Sequence, residues 1–255
     1  MSNPEMFIIA HKKGELPEIA GYSPIQAGAI LHEPLFDLVD STGDNISAKN
    51  EKYCELTVQY WVWKNVKSES VGFVHYRRFF YKHPWSSAGC NILTVEQAAS
   101  DLESADVILP EKLELSRSTQ EEFNLYHNDK DLSLTRGVVA TTGTHYLNAF
   151  DAVMGARAFS PYNMFIMPWD TFDAYMGWLF PVLEEVDSHV DMEGYDSYNK
   201  RLLGFISERL LNVWVRANDL EVKYRPVYQV GKNPLSAQVK NSIKRGINRV
   251  AHRGV

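Results

Sequence analysis

Cysteine is scarce in this chain of 255 residues, which holds only Cys54 and Cys90. They lie far apart, with no CxxC pair and no histidine-rich companion, so neither a disulfide framework nor a structural zinc site is indicated. A reducing cytosol is the expected compartment. Long apolar runs are lacking too: no stretch approaches the ~18–20 consecutive apolar residues of a membrane span. Residues 1–13 show no basic region followed by an apolar core, as a signal peptide would. Internal repeats and low-complexity blocks are missing. Acidic residues vanish after Glu221, whereas Lys223, Arg225, Lys232, Lys240, Lys244, Arg245, Arg249 and Arg253 accumulate there. With a net charge of −6, the body is acidic and the end is basic.

What is present suits an ordinary globule. At 45% hydrophobic and 23% charged residues, the chain can bury the core of one large domain with an appendage. We place the domain at residues 1–230 and a basic tail at 231–255. In the tail, Leu235, Val239, Ile243, Ile247 and Val250 fall on one helical stripe flanked by cations, a pattern that suits an anionic membrane surface. A solvated terminal helix packed on its own domain, or a partly disordered tail, accounts for it equally well.

Strands and helices alternate along the body. Residues 6–10, MFIIA, read as a buried first strand that stops at His11-Lys12. After the turn cluster 40–45, Ser47 can cap a helix that carries Tyr53, Leu56, Tyr60 and Trp63 on one face. Further strands are expected at 71–76, 106–110, 162–167 and within 220–230, and helices at 172–186 and 195–218. The whole is an α/β domain with a mainly parallel sheet. In such sheets ligands sit beyond the carboxyl ends of the strands.

The stretch GFVHYRRFFY at 72–81 is the most informative. An interior-like apolar run ends in His75, Tyr76, Arg77 and Arg78, and a guanidinium beside a core needs an anion or a hydrogen-bonding partner. If the first two strands are parallel neighbours, His11 and Lys12 share a rim with this cluster. The result is an electropositive pocket on an acidic protein. Arginine's planar fork suits phosphate oxygens, so a diphosphate is the expected anion.

Four longer strings carry a resemblance: DNISAKNEKYCELTVQYWVWKN at 44–65, VGFVHYRRFF at 71–80, YNMFIM at 162–167 and GFISERLLNVW at 204–214. In this order they resemble the DUF4422 family over about residues 5–230. The resemblance implies a GT-A-like fold and a glycosyltransferase of bacterial capsule, exopolysaccharide or O-antigen synthesis. Its donor would be a nucleotide-diphosphate sugar, UDP-linked and carrying galactofuranose or galactose in some relatives, and its acceptor a lipid-linked glycan. Work on such an acceptor places the chain at the cytoplasmic face of the membrane.

One feature departs from GT-A enzymes, most of which end a central strand in Asp-x-Asp to hold a divalent metal against the donor diphosphate. Here that strand ends in HYRR, and the sole literal match, Asp129-Lys130-Asp131, reads as a helix start. Arg77 and Arg78 can neutralise the leaving diphosphate directly, while a divalent metal, manganese or magnesium, stays open as a cofactor. Donor binding is assigned to His11, Lys12, Asp44, Asn45, Arg77, Arg78 and Asn163. The Gly43-Asp44-Asn45 loop offers groups for a base or ribose, although turn-making explains it as well. Asn163 either reaches a sugar or caps a loop. Among the carboxylates Glu55, Asp170, Asp196 and Glu208, Glu208 is taken as the base for the acceptor hydroxyl and Asp196 as its runner-up. A salt bridge to a nearby arginine explains Glu208 equally well. Glu55 is read as a buried structural partner of a backbone amide or an arginine, and His75 as a hydrogen-bond donor to phosphate or sugar. Two other classes stay open: a non-catalytic sugar-nucleotide or glycan-binding module, and a nucleic-acid binder using the interleaved cations and aromatics of 75–82. The acidic body argues against the latter.

Overall fold

The computed structural model describes residues 2–12, 14, 16–82 and 91–230. Cys90 and the tail stripe of 231–255 lie outside the described residues. The strands are β1 (Glu5–Ala10), β2 (Tyr22–Gln26), β3 (Ser70–His75), β4 (Arg78–Phe80), β5 (Val107–Pro110), β6 (Leu113–Glu114), β7 (Ala158–Phe159), β8 (Phe165–Pro168), β9 (Val222–Arg225) and β10 (Val227–Gln229). The helices are α1 (Asn50–Tyr53), α2 (Leu56–Asn65), α3 (Val95–Leu102), α4 (Thr119–Asn124), α5 (Asp129–Thr142), α6 (Thr144–Gly155), α7 (Trp169–His189) and α8 (Leu202–Ala217).

The main sheet runs β2-β1-β3-β8-β5-β9, and only β8 is antiparallel to its neighbours along that row. At the end of β3 the chain turns into β4, which pairs antiparallel with β10. Side-chain alternation along the strands builds two cores. Phe7, Ile9, Val71, Phe73, Phe165 and Met167 face a large cluster closed by α2, α5, α6, α7 and α8. Met6, Ile8, Val74, Ile108 and Ile166 face the other way, towards α3 and the β4 aromatics Phe79 and Phe80. Both faces of the sheet are covered, which is why its strands read as continuous apolar runs.

Gly72 sits where β1, β3 and β8 meet. A β-carbon there would collide with Sδ of Met6 and stand 2.9 Å from Cγ1 of Ile166. Gly72→Ala is therefore expected to destabilise the fold by about 1–3 kcal/mol. A urea titration should show a lower midpoint with an unchanged slope; an unmoved midpoint would mean that Met6 swings aside freely.

Several boundaries differ from the expectation, for local reasons. The helix expected from Ser47 is broken into a 3-10 turn (Ser47–Lys49), α1 and α2, because Cys54 adopts a φ of 52°. Ser47 does not cap it: its Oγ donates to the Asp40 carboxylate and accepts from the Ile30 N–H. The strand expected at 162–167 starts only at Phe165, since Tyr162 and Asn163 both have positive φ. The closing strand is two strands, separated at Pro226. The helix expected from residue 195 starts later, with a 3-10 turn at Asn199–Arg201 that leads into α8.

Candidate active site

The carboxyl ends of β1, β2 and β3 open on one side of the sheet. Because β8 runs antiparallel, its entry turn at Tyr162–Asn163 reaches the same side. Between these ends and the start of α8 lies a cleft of ≈ 830 Å³. His11 and Ala27, which follow β1 and β2, line it together with His75, Tyr76, Arg77 and Arg78, and with Glu55, Tyr162, Arg201 and Glu208.

One wall is cationic. Arg77 is exposed, and its guanidinium stands 5.1 Å from the Tyr76 ring centre. Arg78 is half-buried, 4.4 Å from the Tyr162 ring centre, and its Nε is buried with no hydrogen-bond partner. Arg201 approaches from the turn before α8 and donates through Nε to Sγ of Cys54 at 3.3 Å. This crowding of positive charge is felt by His11, whose pKa is lowered by burial first and then by Lys12, Arg201 and Arg77. Cys54 is pushed up to about 12, chiefly by burial, so its thiol stays protonated and is no nucleophile at neutral pH.

The facing groups are carboxylates and a histidine. Glu208 approaches Nη1 of Arg209 at 3.2 Å, with 19% of its side chain exposed. Burial raises its pKa from 4.5 to about 7, and the neighbouring Glu55 carboxylate adds to the rise. Arg209, Arg78 and the Tyr162 N–H oppose it. Such a carboxylate can take a proton and release it near neutral pH. His75 is driven the other way, to about 4, by burial above all and also by Arg78 and Arg201. It is neutral at physiological pH. Its Nε2 is buried without a partner, and the Tyr162 backbone opposes the fall in pKa. A neutral imidazole carries one donor and one acceptor nitrogen, so Nε2 can exchange a hydrogen bond with a ligand hydroxyl.

Not every expected residue reaches the cleft. Lys12 is exposed at its margin, 5.8 Å from the Tyr76 ring centre. Asp44 and Asn45 lie outside the lining: Asp44 accepts from the Tyr60 hydroxyl at 3.2 Å, and Asn45 donates to the Gly43 carbonyl at 3.0 Å. Their polar groups close a turn. Asp196 is exposed and caps the 3-10 turn by accepting from the Asn199 N–H at 2.7 Å, so it does not face the acceptor position beside Glu208. Asn163 is 1% exposed and stands behind the wall, donating to Oε1 of Glu55 at 2.7 Å and to the Gly204 carbonyl at 2.9 Å. Asp170 opens α7, outside the cleft. Sequence reasoning missed Glu55, Tyr162 and Arg201 as lining residues. Nothing local marks them, since each reaches the cleft only through the packing of α2, β8 and α8.

The residues present do not make a divalent-cation site. Among the described residues no three His, Cys, Asp or Glu side chains are grouped to hold a metal. Glu55 has one oxygen tied to Asn163, and Glu208 stands against a guanidinium. Asp129-Lys130-Asp131 opens α5 under an Asn128 cap, and Asp131 turns inward to the Tyr195 hydroxyl at 2.7 Å.

The model of the family described as "Domain of unknown function (DUF4422)" matches residues 5–219. The chain belongs to the DUF4422 family. Among solved structures, this DUF4422 protein is similar to one titled as the apo structure of WbbM, a bifunctional glycosyltransferase, at 27% identity and a TM-score of 0.84. The likeness covers 91% of this chain and 46% of that one, so the DUF4422 protein spans about half the length of the chain it matches. Its mixed, mainly parallel sheet flanked by helices is thus shared with part of that glycosyltransferase. Among curated proteins, none matches it.

Proposed function

We propose that this protein is a glycosyltransferase that moves a hexose from a nucleotide-diphosphate sugar to a glycan acceptor. The likeness to WbbM over 91% of the chain carries the reading. The cleft supports it, since fixed cations face a carboxylate across a space of ≈ 830 Å³, large enough for a sugar nucleotide. In this reading Arg77, Arg78 and Arg201 surround the donor diphosphate. The acceptor hydroxyl attacks the anomeric carbon and passes its proton to Glu208, while the bond from that carbon to the diphosphate oxygen breaks. The negative charge left on the diphosphate is met by guanidinium groups already in place. His75 exchanges a hydrogen bond with a sugar hydroxyl.

The finer assignment is a UDP-linked galactofuranose or galactose donor and a lipid-linked acceptor in capsule, exopolysaccharide or O-antigen synthesis. The basic stripe of 231–255 would hold the protein against the anionic inner face of the cell membrane. Calorimetry with UDP, GDP, CDP and dTDP, each with manganese and with EDTA, tests the donor. Binding of UDP that survives EDTA is expected. A strict manganese requirement would overturn direct recognition by arginine, and a protein that binds no nucleotide would be a glycan-binding module instead.

A further inference from the structure

Glu55, His75, Arg78 and Glu208 come from three distant parts of the chain, yet one two-residue turn lies beside them all. Tyr162 and Asn163 have φ of 84° and 49°. Non-glycine residues enter this region at a cost in strain, and consecutive ones are held there by their surroundings. The turn is fixed at the back, where Gln59 donates to the Asn163 carbonyl at 2.9 Å and Asn163 donates to the Gly204 carbonyl.

The front of the same turn faces the site. The Tyr162 backbone bears on both titrating groups, raising the pKa of His75 and lowering that of Glu208 against the larger effect of burial. The Tyr162 ring lies against the Arg78 guanidinium at 4.4 Å. The Asn163 amide holds one oxygen of Glu55 at 2.7 Å. The positive φ takes these two residues out of the β8 ladder, where their backbone groups would be engaged with neighbouring strands, and leaves them at the edge of the cleft.

We propose that Tyr162 and Asn163 are positioning residues, a left-handed turn that sets Glu55, His75, Arg78 and Glu208 in register with one another for sugar transfer. The proposal rests on the glycosyltransferase reading. It assigns Asn163 to the geometry of Glu55 and not to contact with the donor.

The test compares the wild-type chain with Asn163→Gly and Asn163→Asp, following UDP release from UDP-galactofuranose and UDP-galactose between pH 5 and pH 9. Glycine keeps the left-handed backbone at no steric cost and removes the amide together with its bonds to Glu55 and Gly204. In Asn163→Gly, kcat is expected to fall about tenfold or more, the scale that small misplacements produce. KM for the donor should hold, because the cations are untouched. In Asn163→Asp two carboxylates meet and share one proton. The pair keeps its geometry only while that proton is bound, so Asn163→Asp should lose activity as pH rises through a range where the wild type keeps it. A role confined to folding the turn would lower the melting temperature and add no such alkaline loss. Wild-type kcat in Asn163→Gly, or a pH profile of Asn163→Asp that matches the wild type, overturns the positioning role while the transferase reading stands. A wild-type chain that turns over neither donor removes the transferase reading, and the positioning role with it.

Discussion

Replacing Glu208 by glutamine is expected to lower turnover by about 10²–10⁴-fold, the usual contribution of a positioned base, while nucleotide binding persists. The wild-type rate should climb with pH through about 7, where Glu208 loses its proton. Glu208→Gln should lose this limb. Stability offers an independent reading. The folded pKa lies above the ordinary 4.5, so the fold holds an extra proton between about 4.5 and 7. The stability linked to that proton is fully present below 4.5 and is lost as pH rises through about 7. The variant should therefore show a flatter stability profile across this window and gain on the wild type above it. Wild-type turnover in Glu208→Gln would move the base to Glu55, the cleft carboxylate whose charge bears on Glu208.

Arg78→Ala should weaken nucleotide diphosphate binding by about 10–100-fold, the loss expected for hydrogen bonds between charged groups. Arg78 is chosen over the exposed Arg77 because its Nε is buried and unpaired, a donor that a phosphate oxygen would satisfy. A second effect follows from charge alone. Arg78 helps to hold Glu208 ionised, so its removal should move the acid limb of the rate profile to higher pH. Both effects are expected in one variant. Unchanged affinity in calorimetry would remove Arg78 from the diphosphate site, and Arg77→Ala and Arg201→Ala would then show which cations remain.

Much of the site was legible because a strand buried on both faces has an unmistakable pattern. SVGFVH is apolar up to the point where it leaves the sheet, and the charge that follows must serve something beyond the strand end. The same logic found His11 after β1 and Glu208 among the apolar residues of α8. Asp129-Lys130-Asp131 was legible as a helix start because Asn128 caps it. Asp44, Asn45 and Asp196 misled because short polar side chains close turns through the same groups that would bind a ligand. Asn163 misled for a related reason: from sequence, an amide at a strand entry cannot be assigned to one side of the wall.

The amino-acid sequence by itself determined the α/β alternation, the two-sided burial of the sheet and the cationic end of β3, since each follows from local periodicity and from the cost of burying unpaired charge. Only the tertiary structure decided which carboxylates oppose those cations. Glu55 and Glu208 are separated by most of the chain, and their meeting depends on the packing of α8 against α1 and on the left-handed turn at Tyr162–Asn163. The protonation states also belong to the fold. The same glutamate and histidine in water would titrate at their ordinary values, and it is desolvation among these neighbours that leaves Glu208 poised near 7 and His75 neutral.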